Sequence, residues 1–530
     1  MSDVGPTDLD GIVQYFGREF VEYIFGEIPN LALKTDGAAA LAVKALSELV
    51  NDAQSRNAYD EAFVVGSLFN CSESLPGSTC ITTLRWSLGI VEPAYVSNDD
   101  LEQQFVRLVL DFLPFAKFSG EILWSGSRAH FDTWSLVTSR AAHANPRLKE
   151  MQRLLDSDSA FRQLRGRQAD SGTDRWRLGC SVRWSDGSGG GLQYMGIPSS
   201  LLRAAIQPLA ATAGREDAIA SAKRHLADAR LLAAGSEAHL DRLVGVTGLA
   251  APKSEIELAL GISLRPVTLA ARDLLFDNEY VQSILVFKWP FQYTDRVDAP
   301  GTLDAIFADG ARVAAASAEA SRFETAVRET QLALLLATRD DEQGPTAFLP
   351  IIDRLVVPLV QGGSARHFAQ RFSRSGHLDS WSEGRLEGFR GYIAQLRQPS
   401  NLDVAFRRLA SAAADRLDDG DALIDAMIAL ESMLGGGSDT NFRLQVSVAN
   451  LLHPDDELGR DEVHRSLRAA YKARSTAVHG GSNSGTAVKD QSRVALKLGF
   501  DVLVALLAHP KLGPMKAEER STHLVFRLTP

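Results

Sequence analysis

The chain has 530 residues, 45% of them hydrophobic and 23% charged, with a formal net charge of −10. That length exceeds one ordinary domain and gives ample chain for buried cores, so about two to four domains are expected. The acidic balance excludes a global basic field for nucleic acid, so any RNA must bind at a local site.

Cys71, Cys80 and Cys180 are scattered and odd in number. They exclude a disulfide framework and a zinc signature, and a reducing cytoplasm fits best. The start, MSDVGPTDLD, is acidic and polar, unlike a signal peptide. The longest apolar run, Leu496 to His509, contains Lys497 and Asp501, so no membrane span is expected.

In chain order, Leu9 to Glu27 and Ala38 to Asn51 have helical periodicity, with Phe16, Phe20, Tyr23 and Ile24 on one stripe. Ala62 to Phe69, Cys80 to Val91 and Glu121 to Trp124 read as strands, with a turn at Pro76-Gly77. Arg175 to Trp184 and Leu192 to Ile197 suggest a hairpin around Ser185 to Gly191. A helical block runs from Ser199 to about Val244, and Glu279 to Tyr293 reads as a strand. Thr302 to Thr338 returns to helix, Phe348 to Val360 is apolar but broken by two prolines, and Gln361 to Gly384 reads as a polar linker.

The last part is the clearest. Helices are expected over Val404 to Leu417, continuing as Asp421 to Leu434, then Asn441 to Leu452, Asp461 to His479 and Thr486 to Ala508. Glycines at 435–437 and 480–481 and prolines at 454 and 510 mark their ends. The fold class is therefore α+β and multi-domain. Residues 1–245 form a mixed α/β N-terminal region of unknown role, 246–385 a mixed or helical middle region with the linker, and 386–530 an all-α bundle.

Charged residues interrupt two apolar stripes of this bundle. Glu431 lies seven residues after Ile424, so it falls on the stripe of Ile424, Met427, Ile428 and Leu434. Arg474 lies seven after Leu467, on the stripe of Val463, Leu467 and Tyr471. A charge on an inward face needs a partner, so the two suggest a pair. That pair either holds the bundle together or leaves Arg474 facing a polar cleft or a subunit interface.

His479 ends the same helix, where the helix dipole favours a protonated imidazole. An arginine and a histidine close together at a helix end can grip a phosphodiester and move protons on it, which points to RNA cleavage. Five residues on an ideal helix are about 140° apart. Convergence therefore requires the helix to loosen near the glycines or the arginine to reach around.

With RSTAVHGG, Arg474 to Gly481, the chain resembles the HEPN superfamily (higher eukaryotes and prokaryotes nucleotide-binding), and most of all its Apea-like branch. DALIDAMIALESMLGGG is similar to that family's first long helix, and FRLQVSVANLL from Phe442 to its second. The resemblance spans the C-terminal bundle only. It implies a HEPN-like helical fold and a metal-independent endoribonuclease that needs no cofactor, of a kind often toxin-like or part of anti-phage defence and abortive infection. It further implies a homodimer with a composite site, His479 as general acid and base, and Arg474 on the scissile phosphate. Ser475, Glu431 and Tyr471 would support them. The substrate would be RNA, tRNA being one candidate, and a phage-derived trigger or an antitoxin would be the regulatory partner. Ser475 stands where the family often has Asn, Asp or His, a weaker polar group at that place. Other family members bind nucleotides or serve as assembly modules, and in that alternative the Arg474/Glu431 pair is structural.

Competing features read blandly. Arg371-x5-His377 sits in a Gly/Ser-rich loop, and Arg128 to Trp134 reads as a loop with a packed Trp. Gly187 to Gly191 lacks the Lys-Ser/Thr of a phosphate loop. Ser475 and Ser492 have no nucleophile context, and Asp455 to Glu457 is a solvated turn. No carboxylate or His/Cys cluster has metal-ligand spacing.

Overall fold

The computed structural model describes residues 6–26, 37–56, 64–70, 79–118, 146–162, 164, 179–184, 189–250, 255–267, 271, 275, 280–297, 310–340, 345–360, 365–368, 380–398, 400–436, 439–478, 485–509 and 511–526. The chain is mixed α+β, dominated by helices. The first helices are α1 (Pro6–Phe16), α2 (Arg18–Phe25), α3 (Ala38–Gln54), α4 (Cys80–Ser87), α5 (Asp100–Ala116) and α6 (Pro146–Ser157). Gly17, at φ 94, breaks the expected first helix into α1 and α2. Phe16, Phe20 and Ile24 of the predicted stripe are fully buried. They join an aromatic core in which Phe16 and Phe20 lie 4.7 Å apart and Phe69 and Phe112 5.4 Å.

Two predicted strands are helical instead. Residues 64–69 form a helical turn continuing into a 3-10 turn, Ser67–Phe69, with Ser67 Oγ donating to the Val64 carbonyl at 2.6 Å. The stretch from Cys80 is α4, because Thr79 caps it by accepting from the Thr82 amide at 3.2 Å. A cap outweighs the weak β preference of Ile81, Thr82 and Thr83. Pro76-Gly77, Glu121 to Trp124, Arg128 to Trp134 and Arg371 to His377 lie outside the described residues.

The hairpin forms, as β1 (Gly179–Trp184) and β2 (Gly189–Gln193), with Gly179 opposite Gln193. Its second strand comes earlier than the pattern suggests, because Tyr194–Gly196 is a 3-10 turn leading into α7 (Ile197–Ile206). α8 (Arg215–Ala233) then ends near Gly235, at φ 80. The expected helical block therefore stops short: Ala238–Thr247 is β3. Its alternation puts Leu240, Arg242, Val244 and Val246 on one face and Asp241 and Leu243 on the other.

The remaining strands are β4 (Ile256–Ala259), β5 (Ile262–Pro266), β6 (Ser283–Phe291), β7 (Tyr293–Val297), β8 (Leu349–Leu355) and β9 (Ala365–His367). The order β4-β5-β6-β3-β8-β9 makes a six-stranded antiparallel sheet, and β2-β1-β7 a three-stranded one. β8 arises in the proline-broken apolar segment, with Pro350 paired to Val246 where the register shifts. β9 and the start of the next helix occupy part of the expected linker.

One face of the large sheet carries α9 (Gly310–Ala337), whose Phe323 lies T-shaped on Phe287 at 5.4 Å. That core continues through α10 (Glu383–Leu396) into the C-terminal helices, so Val244, Phe323, Phe389 and Leu430 belong to one apolar cluster. These helices are α11 (Asp403–Ala410), α12 (Asp419–Leu434), α13 (Thr440–Leu452), α14 (Glu457–Val478), α15 (Gly485–Ala508) and α16 (Ala517–Val525). α12 through α15 match the expected helices closely; α10 and α16 are additions. No described helix is long and apolar enough to cross a membrane.

Where α8 meets the sheet, Asp241 is buried and ringed by Arg224, Arg265 and Lys288. Beside it, His225 is buried, with its Nδ1 2.8 Å from the Ser221 carbonyl. Burial, and then the neighbouring Arg224 charge, push the imidazole down to about 3. The folded state thus favours neutral His225, and this contribution is complete above the ordinary value near 6.5. It is lost as pH falls from there towards about 3. Denaturant melts between pH 7 and 4 are expected to lose less stability in His225→Gln than in the wild type, by about 1.4 kcal/mol per pH unit. Equal slopes would mean that the imidazole reaches water.

Candidate functional site

α12 is packed against α11, α13, α14, α15 and α16. Its N-terminus is capped by Asp418, whose Oδ1 accepts from the Gly420 and Asp421 amides at 2.8 and 3.0 Å. Ala422, Leu423, Ala426, Met427, Ala429, Leu430, Met433 and Leu434 are buried. Ile424, Ile428 and Glu431 are only half-buried. Of the stripe expected to face inward, Met427 and Leu434 are buried, whereas Ile424, Ile428 and the intruding Glu431 lie on the least covered side of the helix.

On that side the expected pair forms. Arg474 Nη1 donates to Glu431 Oε1 at 2.6 Å, and Tyr471 Oη donates to the same oxygen at 2.6 Å. The guanidinium carbon sits 5.9 Å from the Tyr471 ring centroid. The Arg474 and Glu431 side chains are 25% and 26% exposed, so water reaches the pair. Burial, and then the bond to Glu431, push the Tyr471 phenol well above its ordinary range. Among the described residues, Arg474 Nε and Nη2 have no hydrogen-bond partner.

Ser475 is exposed and takes no part in this cluster. His479, Gly480 and Gly481 lie outside the described residues. The end of α14 rests against the start of α12: a Cβ at Gly420 would stand 3.7 Å from that of Ala477. Asp418, Asp419 and Asp421 thus lie close to the last turn of α14. Ser492 is buried within α15, and Asp455 to Glu457 are exposed. Among the described residues no group of three His, Cys, Asp or Glu side chains is arranged to hold a metal ion.

Two polar anchors escaped the sequence reading. Asp425, 1% exposed, accepts from Arg408 Nη1 at 2.5 Å and Arg416 Nε at 2.6 Å. A π-helical turn, Ser411–Asp415, follows α11 and leads to Arg416. Asp425 interrupts the apolar run ALIDAMIAL just as Glu431 does, so the same signal could have found it. Arg520 of α16 is fully buried, and burial lowers its guanidinium to about 10. It donates to the carbonyls of Met433 at 2.6 Å, Asn401 at 3.0 Å and Met515 at 2.6 Å, thereby capping the end of α12.

The half-exposed setting limits what the pair contributes. A double-mutant cycle of Glu431→Ala and Arg474→Ala is expected to give a coupling of about 0.5–1 kcal/mol. Tyr471→Phe should cost about 1 kcal/mol. In ultraviolet titration the Tyr471 phenol should move back towards the usual range in Glu431→Gln. Full additivity in the cycle, with an unmoved phenol, would show that the three side chains do not meet in solution.

Set against protein-family models, curated proteins and solved structures, the chain matches none of them, so the reading of this site rests on its own geometry and chemistry.

Proposed function

We propose that residues 386–530 form a HEPN-like, metal-independent endoribonuclease that acts on RNA as a homodimer, with Arg474 on the scissile phosphate and His479 as the proton-transfer group. The observation that carries this reading is the state of Arg474. It lies one turn from the end of α14, with one guanidinium arm tied to Glu431 and the other arm and Nε uncommitted among the described residues. Such an arginine is oriented and still able to donate to a phosphate oxygen. Tyr471 and Glu431 fix its direction from behind.

In this reading a base takes the proton of the ribose 2′-OH, the oxygen attacks the adjacent phosphorus, and the 5′-oxygen leaves with a proton. Negative charge grows on the phosphoryl oxygens, where Arg474 stabilises it. His479 follows α14 directly in the chain and is the group that would carry the proton. Two protomers would supply the acid and the base. The cytoplasm is the compartment, and the region before residue 386 senses a trigger, recognises RNA or restrains the toxic domain, as in a toxin or an anti-phage effector.

A second reading has its own support. Arg474 already has a carboxylate partner, and Asp418, Asp419 and Asp421 lie beside the end of α14, where they repel a phosphate. On that reading the bundle is a non-catalytic nucleotide-binding or assembly module.

The two diverge at His479→Ala. With tRNA and a structured RNA in EDTA, the wild type is expected to cleave and to leave 2′,3′-cyclic phosphate or 3′-phosphate ends. His479→Ala should be inactive at an unchanged melting temperature. Cleavage abolished by EDTA would sink the mechanism, and a variant that loses stability would favour the structural role.

A further inference from the structure

The outer face of α14 carries a feature that the Arg474 site does not use. Arg465, Arg468 and Lys472 are all exposed, and among the described residues none has a carboxylate partner. Arg465 Nε donates to the Asp461 carbonyl at 3.3 Å. At about 100° per residue the three fall within roughly 60° of one another, opposite the buried Val463, Leu467 and Ala470. They rise along the axis in steps of about 4.5 and 6 Å. Ser475 continues the same exposed side.

Helix stability accounts for Arg465 alone, which follows Asp461 by four residues and Glu462 by three; Arg468 and Lys472 have no acidic residue three or four positions away. Like charges three and four residues apart weaken a helix. The dipole rewards cations only in the last turn, whereas Arg465 and Arg468 stand further back from Val478. The whole chain has an excess of acid, yet these cations stay unneutralised. The acidic residues of α14, Glu457, Asp461 and Glu462, are confined to its first part.

We propose that this face of α14 binds the sugar–phosphate backbone of a single-stranded RNA, with Arg465, Arg468 and Lys472 each taking a phosphate. A line of cations on long side chains can follow the consecutive phosphates of an extended strand. The contacts go to the backbone, so they position the strand without reading its sequence. The proposal rests on the nuclease reading for the choice of RNA as the polyanion; the row itself is independent of Arg474, which faces α12.

The test uses the full chain and a fluorescein-labelled 20-nucleotide 2′-O-methyl RNA. That probe lacks the attacking hydroxyl, so it reports binding without cleavage. Anisotropy titrations in 50 and 200 mM KCl compare the wild type with Arg465→Ala/Arg468→Ala/Lys472→Ala. At about 0.7 per phosphate for a single strand, the variant's log–log salt slope should be flatter by about 2. The wild type's advantage in affinity should then shrink roughly 18-fold between the two salts. A control with the same loss of charge elsewhere, Arg18→Ala/Lys44→Ala/Arg153→Ala, should keep the wild-type slope. The proposal is overturned if the wild type does not bind, if the triple variant keeps affinity and slope, or if the control loses as much. Cleavage of unmodified RNA is scored separately. Binding that depends on the row without any cleavage would retain this surface and remove the catalytic reading, whereas cleavage with a dispensable row would do the reverse.

Discussion

The enclosure of α12 is the constraint on which the C-terminal bundle depends. Five helices pack around it, so each polar group it buries must find a partner inside the fold. Asp425 draws in Arg408 and Arg416, which fixes α11 and the π-helical turn after it. Glu431 takes Tyr471 and Arg474, which sets the rotation of α14. The carbonyl of Met433 takes Arg520, which ties down α16. α11, α14 and α16 are therefore oriented by directional bonds as well as by apolar packing, whereas α13 and α15 meet α12 through apolar side chains.

The pairs differ in what they permit. Asp425 is almost sealed from water, but its two arginines are 42% and 39% exposed, so they bridge the core to the surface. Glu431 and Arg474 are both about a quarter exposed. That pair can exchange one partner for another at modest cost, because water and screening already weaken it. A sealed pair has no such freedom. Of the ionic anchors on α12, the Glu431–Arg474 pair is thus reached by water at both ends, whereas the Asp425 carboxylate is not. α14 consequently has two distinct faces: an inner one, where a single arginine is held in a set direction, and an outer one, where three cations stand in a row.

Much of this was legible in the chain. The helices of the bundle follow from their 3.6-residue periodicity and their glycine and proline stops, and the Glu431–Arg474 pair follows from two charges that interrupt apolar stripes. The misses have physical causes. α4 looked like a strand because Ile81, Thr82 and Thr83 are β-branched, but Thr79 supplies a cap and decides the matter. β3 was absorbed into a helix because its apolar residues run on from α8 with a single glycine between, and periodicity alone does not separate short apolar runs. The stripe of Ile424, Met427, Ile428 and Leu434 reads as the inward face of α12, but only Met427 and Leu434 are buried; a helix surrounded by five others has apolar residues on almost every side, so its pattern cannot say which side is open. The partners of Arg520 are backbone carbonyls, which no side-chain pattern can reveal.

The continuity of the apolar cluster bears on how any activity could be controlled. Phe323 and Val327 of α9, Leu386 and Phe389 of α10, and Leu423 and Leu430 of α12 share one core with the sheet. Detaching the bundle from the preceding region would expose the packed faces of α9, α10 and the sheet together, at a cost that grows with that apolar area. Release of a free C-terminal domain is therefore a poor switch for this chain. The exposed side of α14 and the partner taken by Arg474 can, by contrast, change while the core stays closed.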